Sequence, residues 1–188
     1  MDTRVCPDQG HHYNELIHLF NALFQPSHNT ILVAGDGEPE YLPADGQCRW
    51  NRVIFAHGFY ASALHEVSHW CIAGARRRRL VDYGYWYEPD GRSAQQQQLF
   101  EQVEARPQAL EWIFSMAAGS PFNLSLDNLE GDCSGLKERF SERVHEHTHR
   151  YLEQGLPERA ERFTQGLLHW YGRHSQFHRD RFRRDCLR

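Results

Sequence analysis

Between Tyr60 and roughly Ala75, the residues Leu64, Val67, Trp70, Cys71 and Ile72 recur at the spacing of a largely buried helix, with Gly74 placed to end it. Two histidines interrupt this apolar run, His65 and His69, with Glu66 between them. A helix puts residues four apart on one face, so both imidazoles can reach a single ion while the glutamate projects nearby. The flanking Ala63-Leu64 and Trp70-Cys71-Ile72 predict a dry, rigid setting that orients the ligands. Two imidazoles leave a zinc or iron site incomplete, so another element has to supply a third ligand and leave positions open for water or oxygen.

The third ligand is expected on the next helix, at Phe100-Glu101-Gln102-Val103-Glu104. Glu104 is preferred because it lies about 40° from Phe100 around an ideal helix and is bracketed by Phe100, Val103 and Pro107. Glu101 is the alternative, and two solvated glutamates are the bland reading. His57 and Tyr60, at the junction of strand and helix, are candidates to support the ligands, His57 equally a capping or core histidine. A second match to the same pattern, His145-Glu146-His147-Thr148-His149, lies among Glu142, Arg143 and Arg150 and reads as the polar edge of a helix.

Tyr13 to Phe24 carries a helical stripe that Pro26 closes, and Thr30–Ala34 and Arg52–Ala56 read as strands. Val81–Tyr87 is a further strand candidate before a turn at Glu88-Pro89-Asp90-Gly91. Ser93 caps a helix that Pro107 either kinks or divides. A stripe from Leu110 to Ala117 runs to Gly119, and two more helices are expected at Phe140–Leu152 and Pro157–Tyr171. The expected fold is α+β: one mostly helical domain over residues 1–172 with a small sheet and a zincin-like metal helix, then a basic tail over 173–188.

A chain of 188 residues with 40% apolar and 24% charged side chains can bury a core of its own. It has no apolar run long enough to span a bilayer, and its N-terminus lacks an apolar core followed by a cleavage site, so a cytoplasmic protein is expected. Cys6, Cys48, Cys71, Cys133 and Cys186 form no CxxC pair and fit reduced thiols. A net charge of −4 argues against direct nucleic-acid binding, and Arg76–Arg79 and the arginine-rich tail read as solvated. No phosphate-binding loop, dinucleotide fingerprint or nucleophile elbow occurs, and Cys71 looks like core.

The stretch from Ile54 to Gly74, IFAHGFYASALHEVSHWCIAG, resembles the signature of the elongation factor P hydroxylases. Similarity continues in Tyr41–Asp45, Asp82–Tyr87, Pro107–Trp112, Pro121–Leu124 and Asp127–Asp132, covering roughly Tyr13 to Tyr171. The resemblance implies a non-haem iron(II) oxygenase that uses molecular oxygen to hydroxylate the modified, β-lysyl lysine of translation elongation factor P. It implies His65, His69 and, by position within Phe-Glu-x-Val-Glu, Glu104 as ligands. Glu66 would hydrogen-bond a ligand or steer protons or the substrate ammonium.

Two other readings compete. The motif alone equally fits a zinc metallopeptidase, in which Glu66 would be the general base. A non-catalytic docking protein of the translation machinery fits the arginine clusters and aromatic content.

Overall fold

The computed structural model describes residues 11–84, 94–125 and 134–187, the side chains of 94–99, 134 and 136 excepted. Among the described residues five helices dominate: α1 (Tyr13–His28), α2 (Tyr60–Ile72), α3 (Ala94–Ala118), α4 (Ser134–Gln154) and α5 (Glu158–Trp170). Three short strands, β1 (Thr30–Gly35), β2 (Glu40–Leu42) and β3 (Asn51–Ala56), form one sheet in the order β1-β3-β2. β1 runs parallel to β3 from Thr30↔Asn51 to Gly35↔Ala56, and β2 runs antiparallel to it through Tyr41↔Val53. The mostly helical α+β architecture is as the periodicities predict.

α1 begins with a capping box in which the His12 side chain accepts from the Asn14 N–H and Glu15 reaches back to the His12 N–H. It continues through Pro26 to His28 before Asn29, in the left-handed region, turns the chain into β1. Pro26 thus lies within the last turns rather than closing the helix. Leu16, Leu19, Phe20 and Phe24 face inward from α1, and Phe20, Phe24 and Trp70 stack edge to face with centroids 4.8–5.1 Å apart. Phe163 of α5 completes this cluster beside Phe20 and Phe114.

α2 enters from β3 through a tight turn in which His57 (φ 50°) and Gly58 (φ 68°) are both left-handed. The Gly58 position has a second demand, since a Cβ there would stand 3.1 Å from the Tyr13 ring. Ser62 accepts the Ala56 N–H through its hydroxyl at 3.0 Å, tying the first turn of α2 to the strand before it. The far end departs from the expected glycine cap: α2 stops at Ile72, Ala73 turns extended, and Gly74 has no left-handed conformation. A side chain does the capping instead. Arg159 of α5 donates to the carbonyls of Trp70, Cys71 and Ala73 at 3.0, 2.9 and 2.7 Å, while its guanidinium lies 4.8 Å from the Trp70 ring. Arg78 donates to the Ala73 carbonyl as well.

Two further corrections concern the middle of the chain. The Val81–Tyr87 strand does not form over its described part; Val81–Gly84 is a 3-10 turn with Asp82 and Tyr83 at φ 48° and 56°. Its aromatic content serves packing instead, with Tyr83 stacked on Tyr41 at 4.4 Å and Asp82 accepting the Tyr41 N–H at 2.7 Å. Residues 85–93, with the expected turn and the Ser93 cap, lie outside the described residues. α3 is a single helix of 25 residues that passes through Pro107 and ends at Gly119, φ 78°.

The basic C-terminal segment is laid back on the domain in three 3-10 turns, with Phe182 and Leu187 buried and Phe182 5.2 Å from Trp112. Among the described residues no helix is long and apolar enough to cross a membrane. Cys48, Cys71 and Cys186 are free thiols; Cys6 and Cys133 lie outside the described residues.

Candidate metal centre

α2 and α3 pack side by side, and one row of polar residues on α3 faces inward. Glu101, Glu104, Gln108, Glu111 and Ser115 are all buried, at steps of three and four residues. A buried helix face is ordinarily apolar, so this stripe needs partners. Gln108 exchanges two hydrogen bonds with the backbone of Ser125, at 2.7 and 3.1 Å. Glu104 and Glu111 turn to the histidines of α2.

Nε2 of His65 and Nε2 of His69 lie 3.1 Å apart, and Oε2 of Glu104 is 3.5 Å from the first and 3.3 Å from the second. These three side chains are a group that could hold a metal ion, their donor atoms lying within 4.8 Å of one another. Bonds of about 2.1 Å to one ion separate neighbouring donors by about 3.0 to 3.5 Å, between right-angled and tetrahedral arrangements. The donor set therefore fits a divalent ion, and two imidazoles with one carboxylate suit iron or zinc alike.

Glu111 supplies what sequence reasoning did not assign. Its Oε2 lies 2.8 Å from Nδ1 of His65, so Nδ1 donates to the carboxylate and Nε2 is the nitrogen that would meet a metal once its proton is displaced. Its signal was the seven-residue step from Glu104 along a helix, two turns on the same face. In the metal-free protein, burial pushes the His65 imidazole down. The Glu111 hydrogen bond, and the charges of Glu111, Glu104 and Glu66, outweigh it and raise the group to about 10. The pocket thus calls for positive charge.

Glu66 is partly buried, and its carboxyl is held above the usual carboxylate range by burial, then by the charges of Glu104 and Asp82, against the opposing pull of His69 and His65. It is not in the three-residue cluster.

Of the other expected residues, Glu101 is buried but turned to α4. One oxygen stands 4.0 Å from Arg143 and the other has no hydrogen-bond partner. Glu101 and His57 lie outside the cluster among the described residues. His57 is exposed, its N–H donating to the Gly35 carbonyl at 2.9 Å. Tyr60 is buried, its hydroxyl 3.1 Å from that of Tyr171, which in turn donates to Glu15 at 2.8 Å. The second histidine pair has ring centroids 4.4 Å apart on α4, and His149 bonds the Phe182 carbonyl at 2.9 Å; it gathers no third ligand among the described residues. Cys71 is buried, and burial pushes its thiol up to about 12, which leaves no nucleophile there.

The sequence matches the family model of elongation factor P hydroxylase over residues 19–182. It is also similar to the elongation factor P lysine hydroxylase of Haemophilus influenzae, 46% identical over 177 residues that cover 94% of this chain and 99% of that relative. Neither comparison supports the peptidase reading. The chain belongs to the elongation factor P hydroxylase family.

Proposed function

We propose that this protein hydroxylates a lysine of translation elongation factor P, the modified β-lysyl lysine, with iron(II) held by His65, His69 and Glu104 and with molecular oxygen as co-substrate. The observation that carries this reading is the two-histidine, one-carboxylate cluster in a chain of this family. Held by His65, His69 and Glu104, iron would supply the activation of oxygen.

The chain's own residues do the rest. His65 and His69 present Nε2 from one face of α2, and Glu111 fixes the His65 tautomer so that the nitrogen facing the ion bears no proton. Glu104 contributes one negative charge, leaving a divalent centre with a net positive one. Glu66, with its raised proton affinity, is suited to hold or pass a proton at the carboxylate beside the ligands. The ligand placement is zincin-like in that a histidine-pair helix is completed by a downstream helical glutamate. The protein is proposed to work in the cytoplasm.

The test is to load the anaerobically purified chain with iron(II), with zinc or with neither, and to follow the mass of lysine-modified elongation factor P with oxygen and a reductant. A gain of one oxygen with iron alone, abolished in His65→Ala and Glu104→Ala, is expected. Peptide cleavage under zinc with no mass gain would overturn the reading.

A further inference from the structure

One wall of the metal cluster opens on a cavity of about 560 Å³, in which His69 is a lining residue. Its other lining includes Arg76, Arg77 and Arg106, with Gln102 beside them and an apolar floor to which Val103 and Pro107 contribute. Among the described residues no carboxylate lines it. That sets it apart from the centre itself, where Glu66, Glu104 and Glu111 surround the histidines. The same ion would therefore have an acidic interior on one side and a guanidinium-rich cavity on the other.

The arginines are placed by the fold. Arg77 is anchored through the Tyr83 carbonyl at 3.0 Å. Arg106, on α3 next to Pro107, donates its Nε–H to the Tyr151 hydroxyl at 3.3 Å and is exposed, as is Arg76 at the entry to the 3-10 turn of Arg77–Arg79. An alkylammonium group such as a lysine side chain is repelled by three like charges around one cavity. A carboxylate is matched by them, since planar guanidinium groups take carboxylates in paired hydrogen bonds. The volume falls in the range of small-molecule sites, with room for a dicarboxylate and its hydration water.

We propose that this cavity is a binding site for a small organic carboxylate, held by Arg76, Arg77 and Arg106 against the wall that His69 forms. The carboxylate thereby lies beside His69, on the cationic side of the cluster. The inference rests on charge and shape and does not depend on the hydroxylation reading.

The test is calorimetric titration of the zinc-loaded full chain, at low ionic strength, with succinate, inorganic phosphate and n-butylamine in separate arms. Saturable succinate binding is expected, with no response to butylamine. Arg76→Gln/Arg106→Gln should weaken succinate by about tenfold or more, the loss of a charge-assisted hydrogen bond, while zinc content stays at one per chain. Each single variant should weaken it by less. Absence of saturable succinate binding to the unsubstituted protein overturns the proposal, as does binding unchanged in the double variant. Phosphate binding tighter than succinate would assign the cavity to phosphoryl ligands. Loss of elongation factor P binding in the double variant, without any succinate binding, would make it a protein-docking face. Because none of these readouts is turnover, failure here is distinguishable from failure of the hydroxylase reading.

Discussion

Glu111 grips His65 by one ring nitrogen at 2.8 Å while Glu104, two turns earlier on the same helix, faces the other at 3.5 Å. One helix thus controls both edges of an imidazole that belongs to another. Removing the outer grip should matter without removing a ligand. Glu111→Gln is expected to lower metal affinity by roughly 10- to 100-fold while leaving the circular dichroism spectrum unchanged. Competition titration against a chromophoric chelator measures it, and an affinity equal to the unsubstituted protein's would remove Glu111 from the centre.

Glu104 and Glu101 differ by one turn, and the geometry separates them. Glu104→Ala should abolish stoichiometric metal binding, whereas Glu101→Gln should retain one ion per chain, because Glu101 lies towards Arg143. Elemental analysis of the two purified variants decides between them, and the reverse pattern would make Glu101 the third ligand.

The raised proton affinity of His65 gives a pH dependence of definite sign. Its folded value of about 10 exceeds the ordinary 6.5, so in the metal-free protein its contribution to stability is complete below about pH 6.5 and is lost as pH rises through about 10. A metal ion must displace that proton, so apparent affinity should climb with pH over this window. Calorimetry at pH 8 in buffers of different ionisation enthalpy should show about one proton released per zinc ion. Zero release would mean that His65 is already neutral.

Arg159 caps α2 through three carbonyls. Arg159→Met keeps much of the packing on Trp70 but removes the side-chain donor to the Trp70 and Cys71 carbonyls, Ala73 keeping Arg78, and should cost about 2–3 kcal/mol in urea unfolding. A loss within about 0.5 kcal/mol, the range of ordinary surface substitutions, would show the cap to be dispensable.

Much of this was legible in the residues, for reasons that can be named. His65, His69 and Glu104 stand in helices whose apolar stripes fix their facing, so their meeting follows from periodicity together with the packing of α2 on α3. The family resemblance found at Ile54–Gly74 agrees with the relatives. Glu111 escaped because a polar residue on an otherwise buried face has no local signature; only its seven-residue relation to Glu104 marks it. The end of α2 escaped because its cap comes from Arg159, 86 residues beyond Ala73. Val81–Gly84 misled because tyrosines favour strands, yet here Tyr83 stacks on Tyr41 from a left-handed backbone that no propensity foretells. The second histidine pair shares the spacing of the first but gathers no third ligand among the described residues.

The three residues of the candidate cluster come from two helices separated by two 3-10 turns and by residues 85–93, and neither helix holds all three. During synthesis the histidine pair therefore leaves the ribosome well before its glutamate. On the proposed ligand set an ion would be captured only after α3 has docked, and would act as a latch on a nearly finished fold. Such a latch slows opening more than it speeds closing. Chelation should consequently betray itself first as faster unfolding and a shorter lifetime of the native state, with little change in the rate at which the chain refolds.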